Sequence, residues 1–200
     1  DLIFPHHENE IAQSEGACGH QFVNYWIHFG FLNIQDEKMS KSLGNFFTAR
    51  EILKKFPAEA IRLLFNQAHY RGPLNFTDEL LETANTALAK FNNFLENIDE
   101  GEKTASGSKN PSEKIDEYYK KFEEAMDNDF NTPKAVAVVF DFVRDANKII
   151  SENDDLNPEF FQNARKFLED TAEDVLGIID FGNQQEEGKS LEKDLIELLI

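Results

Sequence analysis

Lys38-Met39-Ser40-Lys41-Ser42, running on into Leu43-Gly44-Asn45, is the stretch on which the reading of this chain turns. Two lysines stand three residues apart among small hydroxyl residues, after an apolar strand-like run and before a segment with helical signals. Such a loop can wrap a polyphosphate. Its lysines are compact, mobile charges, and its serines and Gly44 let the backbone approach phosphate oxygens. Lysine and serine are also common in ordinary solvated turns, and a bare Lys-x-x-Lys does not separate the two readings.

Upstream, Leu2 to Phe4 reads as the end of a strand, and Pro5 stands where a first helical residue would. A helix is predicted from there to about Glu15, with Gly16 ending it. His6 and Glu10 are four apart and share a face of that helix, the spacing at which two side chains of one helix can ligate one metal. The same pair can equally be a surface hydrogen bond. Two donors do not complete a tetrahedral site, and His7, Glu8, Cys18, His20 and His28 are the other candidate ligands nearby. Cys18 reads as a small, partly buried residue. From Phe22 to Ile34 the sequence is aromatic and β-branched, predicting a strand or hairpin in which Trp26 and His28 pack.

Downstream, Thr48 with Glu51 three residues later makes a capping box for a helix from about Ala49 to Lys55. Pro57-Ala58-Glu59 restarts a helix with Ile61, Leu64, Phe65 and Ala68 at helical spacing. His69 to Pro73 is a turn, and Arg71 in it can pair with a phosphate or with an acidic neighbour. Thr77 opens a long helix with an apolar face of Leu80, Leu81, Ala84, Leu88, Phe91 and Leu95. Residues 100–112 read as a flexible linker by composition. Three more helices are predicted, from about Ser112 to Asn128, from Thr132-Pro133, and from Pro158 to near Gly177, the last with Phe160, Phe161, Phe167, Leu168, Val175 and Leu176 inward. The phenylalanines read as core. The whole is mainly α.

The net charge of −18 and pI near 4.6 argue against a general nucleic-acid-binding surface, because phosphate contacts need cations. The charge is uneven. Residues 1–75 hold 7 basic and 8 acidic residues, and 76–200 hold 13 and 30, so the acidity belongs to the helical part and reads as a solvated exterior. No apolar run approaches a membrane span, and the single cysteine, Cys18, cannot form an internal disulfide, which makes a cytoplasmic setting the expectation. Opening on motif residues without an initiator methionine, and stopping inside an apolar helix begun at Leu191, the chain is expected to be a piece of a longer protein.

The pentapeptide Lys38 to Ser42 resembles the signature loop of class I aminoacyl-tRNA synthetases. Its flanks look like the cysteinyl-tRNA synthetase family: Phe4-Pro5-His6-His7-Glu8-Asn9-Glu10-Ile11-Ala12-Gln13-Ser14, Val23-Asn24-Tyr25-Trp26, and Glu37 through Phe47. His69-Tyr70-Arg71 to Leu74-Asn75-Phe76 and Asn128-Asp129-Phe130-Asn131-Thr132-Pro133 look like the same family, so the resemblance covers roughly residues 1–180. It implies the end of a Rossmann-like α/β catalytic domain, then a strand-loop-helix segment, then an α-helical bundle. In domains this gives 1–23 with the zinc-ligand helix, 24–80 as a stem-contact segment carrying the lysine loop, 81–181 as the bundle with a linker at 100–112, and 182–200 as a linker into a further domain.

The chemistry implied is activation of cysteine by ATP with Mg2+ and its transfer to tRNA(Cys) by a monomeric enzyme. Lys38 and Lys41 match the signature lysines, with Lys41 the direct ATP contact, and Asp1 matches the acidic residue near the adenosine ribose. His6 and Glu10 match two zinc ligands, with two cysteines expected upstream. A His-x-Gly-His signature and those two cysteines are not in these residues, so the 200 residues alone are expected not to form cysteinyl-adenylate. Three rivals remain: a related ATP-dependent cysteine ligase of mycothiol synthesis, a non-catalytic tRNA- or zinc-binding module, and a purely structural helical protein. The last does not account for the pentapeptide.

Overall fold

A computed structural model describes residues 2–34, 37–38 and 48–181, with the backbone alone at 37 and 38. Asp1, Lys41 with the rest of the lysine run, and the helix expected from Leu191 lie outside the described residues.

Helices dominate. The first, α1 (Glu8–Cys18), follows a short π-type turn at Ile3–His7. Pro5 therefore does not open the main helix. Phe4 before it is extended (φ −128°, ψ 131°), as a residue preceding proline tends to be, and regular α geometry begins only at Glu8. Gly16 does not end the helix either. An interior glycine costs only about 1 kcal/mol, whereas the terminus needs a left-handed residue, and Gly19 (φ 73°) supplies it with its N–H on the Glu15 carbonyl at 2.8 Å. Cys18 is exposed, not partly buried.

The predicted strand from Phe22 shrinks to β1 (Leu32–Ile34); residues 21–31 run without regular structure. No residue from 2 to 31 is buried, so no neighbouring sheet holds this segment extended. Trp26, 41% exposed, lies flat on His7 with ring centroids 3.9 Å apart, and His28 meets His7 edge-on at 4.8 Å. These rings pack on one another and not in the core. β1 is central in a three-stranded sheet, antiparallel to β2 (Glu37–Lys38) and parallel to β3 (Leu74–Phe76).

Between them lie α2 (Ala49–Leu53) and α3 (Ala58–Asn66), both near their expected positions. The inward face of α3 is Ala60, Leu63 and Leu64, while Phe65 stays 47% exposed. α4 (Asp78–Thr104) is capped by Thr77, whose hydroxyl oxygen accepts from the Leu80 N–H at 3.2 Å. It buries Leu81, Ala84, Phe91, Phe94 and Ile98; Leu80 faces out. Both stripes have helical spacing, and contact with the later helices selects between them.

The bundle closes with α5 (Ser112–Asp127), α6 (Thr132–Glu152) and α7 (Pro158–Leu168), the last continuing through a π-type turn at Glu169–Glu173. Phe91, Phe94, Phe142, Phe160 and Phe167 are all fully buried. The Phe142 ring stands 4.3 Å from Phe167, 5.4 Å from Tyr118 and 5.9 Å from Phe94. Polar rims tie the helices: the hydroxyl of Tyr118 donates to Asp145 at 2.5 Å and that of Tyr119 to Asp170 at 2.8 Å. Burial, then these carboxylates, push both phenols up. Val175, expected inward, is 52% exposed.

Residues 100–112 are not a free linker. Residues 100–104 are the last turn of α4, and the Gly107 and Lys109 N–H groups donate to Leu156 and Asp155 carbonyls at 3.0 and 2.9 Å. A polar, glycine-containing composition is compatible with such a backbone clasp as well as with disorder, and only the partner strand distinguishes them.

Candidate functional site

Described structure flanks the lysine run in sequence. On one side β2 pairs with β1, Asn33 opposite Lys38 and Ile34 opposite Glu37, which puts the Lys38 backbone at the end of an edge strand. On the other side the predicted capping box at α2 is present. The Glu51 N–H donates to the Thr48 hydroxyl at 3.3 Å, and the Thr48 N–H donates to the Glu51 carboxylate at 2.8 Å. The Thr48 N–H first, and its hydroxyl 3.0 Å from the same carboxylate second, hold the Glu51 carboxyl below its ordinary range. The segment between therefore leaves one anchored element and enters another.

His6 lies in the π-type turn and Glu10 in the first turn of α1, both exposed. An imidazole and a carboxylate suit zinc and supply two of the four donors of a tetrahedral site. Cys18 and His20 do not complete it: among the described residues no three His, Cys, Asp or Glu side chains converge on a metal position. The Cys18 thiol donates instead to the His20 carbonyl at 3.2 Å.

A third constellation joins the sheet to the bundle. Arg71 donates from Nε to Oδ2 of Asp129 at 2.6 Å and from its NH2 nitrogen to Oδ1 at 3.0 Å. The Tyr70 hydroxyl donates to the same Oδ1 at 2.6 Å, and His69 Nε2 lies 3.9 Å from Oδ2. Arg71 first and Tyr70 second lower the Asp129 carboxyl to about 2, while Asp129 raises the Tyr70 phenol. Arg71 thus takes the acidic partner that the sequence left as one of two options. The identity of that partner, 58 residues away, has no signal in local spacing.

Residues 1–86 match the family model described as "tRNA synthetases class I (C) catalytic domain", and residues 121–180 match the DALR domain. The chain is similar to the Cysteine--tRNA ligase of Geobacter metallireducens, 51% identical over 158 residues, which is 76% of this chain and 33% of the relative. That of Acinetobacter baylyi is 47% identical over 152 residues (76% and 31%), and that of Thermococcus gammatolerans 43% over 207 residues (100% and 43%). In fold it resembles the Agrobacterium radiobacter K84 agnB2 LeuRS of a solved LeuRS-tRNA-LeuAMS ternary complex, with a TM-score of 0.55 at 18% identity, over 72% of this chain and 20% of that one.

The fold and the two family matches define a chain of the class I aminoacyl-tRNA synthetases. It belongs to the cysteinyl-tRNA synthetase family, and it spans between 31% and 43% of the length of these curated relatives.

Proposed function

We propose that this chain is the signature-lysine and helical part of a cysteine--tRNA ligase, which joins cysteine to ATP, releases pyrophosphate, and passes the cysteinyl group to the terminal ribose of tRNA(Cys). The observation that carries the reading is the lysine run itself, set between β2 and the capped start of α2 within the catalytic-family match.

Expelling pyrophosphate builds negative charge on the phosphates, and preorganised cations at that charge lower the barrier. Lys38 and Lys41 have this role, Lys41 at the ATP phosphates with Mg2+, and Asp1 stands at the adenosine ribose. His6 and Glu10 hold zinc together with two cysteine thiolates from outside these residues. When bound, zinc would take the substrate as a thiolate and disfavour serine, whose hydroxyl is a poor ligand. A pocket of that kind needs no second, editing site.

In domains, 1–23 closes the Rossmann-like catalytic fold, 24–80 contacts the tRNA stem, 81–181 is the bundle, and 182–200 leads onward. The name of the curated relatives, Cysteine--tRNA ligase, favours tRNA over an amino sugar as acceptor. Among the described residues no helix is long and apolar enough to cross a membrane. That the enzyme works as a cytoplasmic monomer is part of this proposal and rests on the family resemblance.

The test is a chimera in which residues 1–181 replace the matched segment of the Geobacter metallireducens relative. Cysteine-dependent ATP–pyrophosphate exchange and charging of tRNA(Cys) are expected. Lys41→Ala should lower exchange by about 100-fold or more, the scale of losing one preorganised charge contact. A chimera that folds but shows no exchange, or discharges only to an amine, would refute the reading. The 200 residues alone are expected to show no exchange; turnover by them would show that the missing signature is dispensable.

A further inference from the structure

Arg71 and Asp129 join the turn before β3 to the α5–α6 turn of the bundle, at the edge of the core that buries Phe76 of β3 with the helices. Asp129 lies in the α5–α6 turn, where Asp129 and Phe130 both take left-handed backbone conformations (φ 58° and 51°). Aspartate tolerates that region; phenylalanine does so rarely, and Phe130 is 53% exposed, so no burial of its ring compensates. The turn is held by the Phe130 N–H on Met126 and the Asn131 N–H on Ala125, at 2.9 and 3.1 Å. Its outcome is to present the Asp129 carboxylate to three successive residues, His69, Tyr70 and Arg71.

The other side of the 69–72 turn faces the sheet. The Gly30 N–H donates to the Tyr70 carbonyl at 2.7 Å, and the Leu74 N–H donates to the Phe31 carbonyl at 3.0 Å. Phe29 meets the Tyr70 ring edge-on at 5.8 Å. Gly30 and the Gly72 carbonyl are so close that a side-chain carbon at Gly30 has no room. Thus the bundle grips the 69–72 turn, the turn grips the entry of β1, and β1 holds β2, at whose end Lys38 stands.

Stability does not account for this construction. The side chains of Arg71 and Asp129 are 66% and 45% exposed, and exposed pairs contribute little. What the two-toothed guanidinium–carboxylate fork does contribute is a defined geometry. We propose that Arg71 and Asp129 are positioning residues, a brace that sets the sheet, and with it Lys38, at a fixed attitude to the helical bundle during cysteine activation. The inference rests on the ligase reading above.

The expected signature is a fall in turnover without a loss of cysteine binding, because charges aimed at developing phosphate charge act mainly in the transition state. In the chimera, Arg71→Lys and Asp129→Asn should each lower kcat for exchange by about tenfold, within the 10²-fold that a 1 Å misplacement can cost. The KM for cysteine should stay unchanged. The double variant should be no worse than the poorer single, since both remove one fork. Arg71→Lys at the parental rate would overturn the brace, as would effects that multiply, or a kcat loss accompanied by a matching rise in KM and loss of thermal stability.

A parental chimera without exchange would refute the ligase reading and leave the brace readable in the 200-residue chain. There, Asp129→Asn should speed amide exchange at Gly30 and Leu74 while α4 and α6 stay protected. Unchanged exchange at those two amides would refute the brace.

Discussion

Replacing Gly30 by alanine should loosen the sheet without touching the bundle. The new Cβ would press on the Gly72 carbonyl and lie 3.0 Å from the Pro73 nitrogen, both backbone groups that cannot rotate away. To restore ordinary contact the 69–73 turn must retreat by about 1 Å. That strains or breaks the Gly30 to Tyr70 and Leu74 to Phe31 hydrogen bonds. Overpacking of this kind costs about 1–3 kcal/mol, and one lost hydrogen bond adds about 1 kcal/mol, so the local cost is about 2–4 kcal/mol. At roughly 1.4 kcal/mol per decade, amide exchange at Leu74 should accelerate by about 30- to 1,000-fold, while the amides around Phe142 in α6 keep their protection. Gly16→Ala is the matched control. Gly16 has open space where a Cβ would stand, inside α1, so alanine there should stabilise the helix by about 1 kcal/mol. Leu74 exchange unchanged in Gly30→Ala, or the two glycines responding alike, would refute the close-approach argument.

Phe142→Ala should destabilise the bundle by about 3–5 kcal/mol in urea unfolding, because Phe142 is 2% exposed and packs against Phe94, Tyr118 and Phe167. Thr48→Ala should remove about 1 kcal/mol from the start of α2, read as faster exchange at the Glu51 and Ile52 amides, while Thr48→Ser retains protection. The Asp129 carboxyl should titrate near 2 by NMR. A carboxyl held below its unfolded value near 3.8 contributes stability in full above that value, and the contribution is lost as pH falls from about 4 through 2. Removing the fork with Arg71→Gln should raise the Asp129 value toward the ordinary range.

Four helix starts, unlike that of α1, were legible because they depend on local chemistry. Thr48 with Glu51, Thr77, Asn131 before Thr132-Pro133, and Asn157 before Pro158 each satisfy N–H groups of their own first turn, so spacing of a few residues decides them. The lysine run and the His6–Glu10 pair stand out in the sequence for a different reason: each has the residue types and spacing that its proposed chemistry needs. The family that those patterns pointed to is the one to which the chain belongs.

Other features depend on partners far along the chain. Whether Leu80 or Phe94 faces inward on α4 is a matter of degrees of rotation, and packing against α3, α6 and α7 chooses. Whether residues 107–109 are free or clasped depends on 155–157. The aromatic run from Phe22 to Phe31 has strand-forming residues but, among the described residues, no sheet beside it until β1, and β propensity without a paired neighbour does not make a strand. Capping and helical periodicity belong to the sequence by itself, because each is an interaction within one or two turns of chain, and so does the lysine motif, because it is a pattern of adjacent residues. The choice of Asp129 for Arg71, and the bracing of sheet to bundle that follows, belongs to tertiary structure alone, since a charge pair spanning 58 residues exists only once the chain has folded around it.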